Sequence, residues 1–235
     1  AWRKKWRLNW EKVKSLMIQY LSKLTDVDVH IYEPNAHIKN ILQKESVKRE
    51  VKLTPARAML LYSLFKYERY GEYSTVFTAN KLAYFLQESG ENLKLKFEPY
   101  TYGPYAQAVE KVLYALNGRY LKGLEQMSAS PFEALQLNYD RKQEVLDFVA
   151  NKLSSIQKGR LESLFDAIDG FESTLSLEIL SSVHYITLRH PKIEQHEIVE
   201  KIKGWNQRKS ELITEEYVRI ACEHLSDYGT KLEFA

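Results

Sequence analysis

The chain has 235 residues, 44% of them hydrophobic, which suffices for one substantial core or two small ones. Its formal net charge of +3 is too small to indicate a nucleic-acid-binding protein by overall electrostatics. The single cysteine, Cys222, excludes a disulfide framework, and no apolar run approaches the roughly 20 residues that span a bilayer. These features predict a soluble, cytoplasmic protein with no membrane partner.

The first 34 residues predict one helix followed by one strand. Apolar residues recur at helical spacing from Val13 to Leu24, and "VDVHIY" then alternates apolar and polar residues until Pro34. One helix and one strand cannot bury each other completely, so residues 1–34 are interpreted as the end of an α/β unit or as a segment that docks on the following domain. Residues 35–52 are basic and weakly periodic, and they are interpreted as a linker.

Residues 53–235 predict an α-rich domain with minor β structure. Thr54 and Pro55 are typical of a helix start, and a second helix is predicted from about Thr78 to Ser89. Short strands are predicted in "LKLKF" and "FEALQLNY". Further helices are predicted in "YAQAVEKVLYALNG", "RKQEVLDFVANKL", "GRLESLFDAI", "TLSLEILSSVHYITL", "EQHEIVEKIKGW" and "TEEYVRIACEHLSDYG". The fold class predicted for the whole chain is mainly α with minor β.

The chemistry-bearing residues form no recognisable catalytic or metal-binding motif. The six histidines lack metal-ligand spacing, and neither a phosphate-binding loop nor a dinucleotide fingerprint is present. Cys222 shares a helical face with Val218 and Leu225, which favours a small buried hydrophobe over a nucleophile. We therefore predict a binding module with no cofactor, no metal and no catalytic residue.

The stretch "KFEPYTYGPYA" at residues 96–106 is the first candidate binding surface. Gly103 and Pro104 force a turn, and Pro104 is predicted to be the first residue of a helix. Tyr100, Tyr102 and Tyr105 surround this corner. Tyrosine is enriched at interfaces, but it also covers cores while its hydroxyl finds a partner, so both roles stay open.

The second candidate is "WNQRK" at residues 205–209. Tryptophan and arginine are enriched among the residues that dominate binding energy, but a tryptophan also commonly seals a helix corner. We predict that Trp205 belongs to the core and that Arg208 and Lys209 lie on the surface.

Several separated blocks of the chain resemble the C-terminal domain of the DarG family. These blocks are "LTPARAMLLYSLFKYERYG", "ANKLAYFLQESGENLKLKFEPYTYGPYAQAVEKVLYALNGRYLKG", "GFES" with the nearby "LEILSSVHYI", and "WNQRKSELITEEYVRIACEHLSDYG". The middle block is also similar to the Panacea antitoxin domain. In addition, "LNWEKVKSLMIQYLSKLTDVDVHIYEP" resembles the last helix and strand of the macrodomain that precedes this domain in DarG.

The resemblance implies an antitoxin that neutralises a DarT-like DNA ADP-ribosyltransferase toxin by direct binding. It makes that toxin the expected partner, and it makes the two candidate surfaces the expected contacts: Tyr100, Tyr102, Tyr105, Arg208 and Lys209. It also implies a three-part organisation, with a macrodomain remnant at 1–34, a linker at 35–52 and a toxin-binding domain at 53–235. The chain alone is then expected not to be an enzyme.

Two other functions stay open. One is a DNA-binding autoregulator that uses the last two helices, although Glu215 and Glu216 at the start of the final helix would face phosphates unfavourably. The other is a fragment of an ADP-ribosylglycohydrolase whose catalytic macrodomain is absent from this chain. The sequence does not indicate whether the chain is a monomer or an oligomer.

Overall fold

The computed structural model describes residues 10–24, 51–124 and 130–228, and it is mainly helical with short strands, as predicted. The chain divides into two compact units, residues 1–41 and 42–235. The predicted strand "VDVHIY" lies outside the described residues, as does nearly all of the predicted linker. The helices are α1 Trp10–Leu21, α2 Pro55–Tyr67, α3 Val76–Glu88, α4 Gln107–Leu116, α5 Lys142–Lys152, α6 Ser155–Ile168, α7 Thr174–Arg189, α8 Gln195–Lys203, α9 Gln207–Leu212 and α10 Glu215–Tyr228. The strands are β1 Glu98–Tyr100, β2 Gly103–Tyr105, β3 Leu121–Lys122 and β4 Gln136–Leu137.

In the first unit, α1 is the amphipathic helix that the sequence predicts. Val13 is half-buried, whereas Leu16, Ile18 and Tyr20 are exposed. In the second unit, the described helices pack around α3 and α7, which contact each other and are buried over most of their surfaces. The prediction that "TLSLEILSSVHYITL" forms a buried helix is therefore confirmed.

Side-chain caps decide where several helices begin. The Thr54 side chain accepts a hydrogen bond from the backbone of Arg57, with Pro55 in the first turn, as predicted. Thr75 caps α3 in the same way, so this helix begins at Val76, two residues before the predicted start. Ser154 forms a capping box with Gln157, so α6 begins at Ser155, four residues before the predicted segment "GRLESLFDAI".

The structure corrects two predictions about the tyrosine-rich stretch. The segment "LKLKF" is not a strand, and the strand begins only at Glu98. Pro104 does not start a helix, because residues 103–105 form β2, which pairs antiparallel with β1. The backbone of this hairpin is held by α3: Lys81 Nζ donates to the Pro104 carbonyl at 2.7 Å, and the Asn80 side chain accepts from the Ala106 N–H at 2.9 Å. Helix α4 therefore begins at Gln107.

A second small sheet pairs β3 with β4 in antiparallel register, so part of the strand predicted in "FEALQLNY" is confirmed. The hairpin β1–β2 contacts α7 as well as α3, and this contact brings it against the buried centre of the second unit. Within the described residues no helix is long and apolar enough to cross a membrane.

A buried histidine between the central helices makes the stability of the fold depend on pH. His184 Nδ1 and the Tyr84 hydroxyl are hydrogen bonded at 2.7 Å. Burial, followed by the charge of Arg189, lowers the pKa of His184 from 6.5 to about 4. As the pH falls from about 6.5 to about 4, the unfolded chain therefore gains a proton that the folded chain excludes. This difference should lower the free energy of unfolding by up to roughly 3 kcal/mol over that window.

The check is urea denaturation at several pH values for the unmodified chain and for His184→Gln, whose amide keeps a hydrogen-bonding group near Tyr84. The free energy of unfolding of the variant should decline much less between pH 6.5 and 4 than that of the unmodified chain. His196→Gln is the matched control, because His196 is exposed and should leave the decline unchanged. Parallel pH profiles for the unmodified chain and His184→Gln would contradict the prediction.

Candidate functional site

The candidate site is a small recess between the hairpin β1–β2 and helix α3, which we call the aromatic recess. Its cavity has a volume of about 40 Å³, close to the space of a single water molecule. Three tyrosines of the predicted binding stretch line it, namely Tyr100, Tyr102 and Tyr105, together with Phe77, Lys81 and Glu110. The structure thus brings all three predicted tyrosines to one site.

The three tyrosines differ in exposure, so the two roles left open by the sequence are divided among them. Tyr102 and Tyr105 are half-buried. The Tyr105 hydroxyl donates to the Glu110 carboxylate, and burial, followed by this hydrogen bond, raises the pKa of Tyr105. Tyr100 is 60% exposed and packs its ring against Tyr105 with 5.1 Å between the ring centroids. Tyr102 packs against the core, whereas Tyr100 presents a ring to solvent.

Gly103 allows the hairpin to approach the central helices closely. Its φ angle is +96°, in the region that disfavours side chains. A Cβ atom at this position would lie 2.9 Å from Ser182 Oγ and 3.0 Å from Lys81 Nζ. The backbone conformation favours glycine here, and a larger residue would also have to displace the Ser182 and Lys81 side chains.

Lys81 lies at the base of the aromatic recess and is fully buried. Its ammonium group donates to the Pro104 carbonyl, and it lies 5.2 Å from the centre of the Phe77 ring. Burial, followed by repulsion from Lys209, holds the pKa of Lys81 well below its usual value. The hydrogen bond from Lys81 therefore anchors the hairpin backbone, although burial makes the charged form of this lysine less stable.

Helices α7 and α9 are joined behind the hairpin by a buried ion-pair cluster, formed by Glu178, Arg208 and Lys209. Glu178 Oε1 accepts from Arg208 at 2.7 Å and from Lys209 Nζ at 2.8 Å. Lys209 Nζ also lies 3.3 Å from Ser182 Oγ, to which it donates. Glu178 Oε2 is buried and accepts no hydrogen bond within the described part of the chain. The cluster is sensitive to the loss of Glu178 or Lys209, because each would leave the other as a buried charge with less compensation.

Both Arg208 and Lys209 were predicted to lie on the surface. This prediction is confirmed for Arg208 and is wrong for Lys209. Lys209 has 0% exposure, and burial lowers its pKa despite the opposing effect of Glu178. Arg208 is exposed, with its guanidinium 5.0 Å from the centre of the Tyr102 ring. Trp205 is partly buried and packs against the core, as predicted.

The second candidate stretch reaches the first through a cap that the sequence analysis missed. Asn206 caps α9 by accepting from the Lys209 N–H, and it donates to the Thr101 carbonyl at 3.2 Å in the turn of the hairpin. Because α9 has only six residues, its own periodicity was too short to predict. This short helix nevertheless places Arg208 beside Tyr102.

Sequence analysis also missed Lys81, Glu178 and Ser182. One signal for Glu178 was available, because it is a single carboxylate within an otherwise apolar helix, and a buried charge requires a partner. The partners could not be identified, since Glu178 and Lys209 are 31 residues apart in the chain.

The two helices predicted to form the DNA-binding pair are α8 and α10, and they contact each other. The start of α10 carries Glu215 and Glu216, and Arg219 pairs with Glu216 and Glu223. The arrangement does not test DNA binding by these helices, which stays a prediction. Among the residues that the structure describes, no group of three histidine, cysteine or carboxylate side chains could hold a metal ion.

The chain is similar to three proteins named DNA ADP-ribosyl glycohydrolase. It is 31% identical to the one from Thermus aquaticus, over 94% of this chain and 60% of that protein. It is 24% identical to those from Mycobacterium bovis and Mycobacterium tuberculosis, over 93% of this chain and 64% of each. No known family profile matches the chain.

These relatives correct two predictions. An antitoxin acting by binding alone is wrong as the main function, because the proteins that match 93–94% of the chain are named as glycohydrolases. The prediction that the chain is not an enzyme is contradicted by the same names. The alternative of a fragment of an ADP-ribosylglycohydrolase agrees better with them. The chain is therefore similar, over most of its length, to proteins named DNA ADP-ribosyl glycohydrolase, and it spans about three-fifths of their length.

Proposed function

We propose that this chain is part of a DNA ADP-ribosyl glycohydrolase, a protein that hydrolyses the bond between ADP-ribose and DNA. The observation that carries the proposal is the 31% identity to a protein of that name over 94% of the chain. Because the chain spans 60% of that relative, the activity is proposed for the protein that carries this sequence.

We further infer that the chain corresponds to the C-terminal domain of such proteins, preceded by the end of a macrodomain. The sequence blocks that resemble this domain fall on α2, on the segment from α3 to β3, and on the segment from α9 to α10. A further block, "LEILSSVHYI", falls on α7, so the blocks together include the three tyrosines of the aromatic recess and the three residues of the buried ion-pair cluster.

The geometry of the aromatic recess favours holding a substrate over cleaving one. Glu178 is fully buried and held by two basic side chains, so it is not placed to exchange a proton with a substrate. The Glu110 carboxylate already accepts a hydrogen bond from the Tyr105 hydroxyl. We therefore assign no bond-cleaving step to the recess, and its exposed rim is the part that a substrate can reach.

The proposed function is tested by adding the protein that carries this chain to a single-stranded oligonucleotide bearing one ADP-ribose group. We expect release of free ADP-ribose and recovery of the unmodified oligonucleotide, both followed by mass spectrometry. Heat-denatured protein and an ADP-ribosylated protein substrate serve as controls for enzyme dependence and for preference for DNA. If the oligonucleotide keeps its ADP-ribose throughout, the proposed function is wrong.

A further inference from the structure

Exposed aromatic rings surround the mouth of the aromatic recess. Tyr100 is 60% exposed and Phe132 is 42% exposed. The half-buried Tyr102 connects them, because it lines the recess with Tyr100 and its ring centroid lies 4.6 Å from that of Phe132. We call Tyr100, Tyr102 and Phe132 the aromatic surface. Exposed rings on one surface are typical of a binding site.

Arg208 adds a positive charge to the aromatic surface. Its guanidinium lies over the Tyr102 ring, and within the described residues only one of its nitrogens, Nη1, is bonded to Glu178. A guanidinium has five N–H donors, so several are available to an anion that approaches from solvent. Because Glu178 fixes the side chain from the buried side, the cation is held in position before any ligand binds.

Two of the nearby carboxylates already have partners. Glu98 pairs with Lys96 at 2.6 Å, and Glu110 accepts the hydroxyls of Tyr105 and Tyr114. In the buried ion-pair cluster a single carboxylate, Glu178, pairs with two cations of α9, Arg208 and Lys209. Arg208 is therefore the group of the aromatic surface with which an anionic ligand can pair.

Aromatic rings beside a fixed cation match the chemistry of a nucleic-acid strand, in which each flat base is joined to a phosphate. Stacking on a protein ring requires a base whose face is not covered by its neighbours, which favours a single strand over a duplex. The recess itself, at about 40 Å³, is too small to admit a base. The base must therefore lie on the exposed rings outside it.

We propose that the aromatic surface binds single-stranded DNA, with bases stacked on Tyr100 and Phe132 and a phosphate paired with Arg208. This inference rests on the proposed function, in which DNA is the substrate. The surface would hold the strand that carries the ADP-ribose group, while cleavage takes place elsewhere in the protein.

The proposal is tested with the protein that carries this chain and a short, fluorescently labelled oligothymidine without ADP-ribose, by fluorescence anisotropy at low salt. Tyr100→Ala and Phe132→Ala should each weaken binding roughly tenfold, because each removes one stacking ring. Arg208→Ala should weaken binding and reduce the dependence of log affinity on log salt by about 0.7, the value for one phosphate contact on a single strand. Tyr100→Phe should bind as the unmodified protein does, since it keeps the ring.

Tyr217→Ala is the matched control, because Tyr217 is an exposed tyrosine of α10 away from the aromatic surface. It should leave the affinity unchanged. Since Arg208 also pairs with Glu178, thermal unfolding of its variant is measured alongside. If that variant unfolds, the two exposed ring variants still decide the outcome.

Competition distinguishes the two possible sources of a nucleotide. Unlabelled oligothymidine should displace the labelled strand, whereas free ADP-ribose and a DNA duplex should displace it weakly. A surface that binds ADP-ribose but not the oligonucleotide would overturn the proposal. So would ring variants that leave oligonucleotide binding unchanged while altering the mass of the protein in solution, which would indicate a protein interface.

Failure of this inference can be separated from failure of the proposed function. Release of ADP-ribose from DNA with no effect of the ring variants on oligonucleotide binding would leave the function standing and overturn the surface. Ring-dependent binding with no release would support the surface and overturn the function.

Discussion

Replacing Glu178 with glutamine is expected to lower the free energy of unfolding by roughly 3–5 kcal/mol. The carboxylate is fully buried and accepts hydrogen bonds from Arg208 and Lys209. Without its charge, Lys209 would be left buried with no opposite charge beside it among the described residues. Urea denaturation followed by circular dichroism measures the loss.

Glu216→Gln is the control for this change. Glu216 also forms an ion pair, with Arg219, but both side chains are exposed, and such pairs contribute little to stability. The double variant Glu178→Leu with Lys209→Met should recover much of the lost stability, because it removes both buried charges together. Equal small losses for Glu178→Gln and Glu216→Gln would show that the buried cluster does not stabilise the fold.

Gly103→Ala is expected to destabilise the protein by roughly 2–4 kcal/mol. One part of this cost is backbone strain, because the φ angle is +96°. The other part is steric, since the new methyl group would lie 2.9 Å from Ser182 Oγ and 3.0 Å from Lys81 Nζ. Relief of this contact would move the hairpin away from α3 and α7, so the variant should also weaken oligonucleotide binding.

Gly71→Ala separates the two parts of that cost. Gly71 has a similar φ angle, +87°, but a Cβ there would meet no atom within 4 Å. Gly71→Ala should therefore lower the free energy of unfolding only by the cost of backbone strain, about 1 kcal/mol. The two variants can be compared by thermal and urea denaturation. If they are equally destabilised, close packing of the hairpin against the central helices has no measurable effect on stability.

Local sequence patterns were sufficient for most of the helices. Apolar spacing over three or more turns predicted α7 and α10, and the Thr54–Pro55 pair predicted the start of α2. These signals are short-range, because each depends on residues within one helix. The boundaries were less accurate where a cap lay outside the periodic segment, as with Thr75 and Ser154.

The candidate site was predicted only in part, because its residues come together from four separate segments. The tyrosines of "YTYGPY" were identifiable from their density, and Arg208 from its position beside Trp205. Their contact was not predictable, since the position of Arg208 over Tyr102 depends on long-range bonds from Asn206 to the hairpin turn and from Arg208 to Glu178. The partnership of Glu178 with Lys209 was equally hidden.

The sequence by itself therefore determined the helical class, the position of the main helices and the tyrosine-rich stretch as a site of interest, since these follow from periodicity and local backbone preference. Only the tertiary structure decided that residues 103–105 form a strand, that Lys209 is buried and that Tyr100 remains exposed. The physical reason is that a hydrogen bond from Lys81 and a buried charge on Glu178 act across distant segments. Such long-range interactions override local preference without leaving a periodic signal.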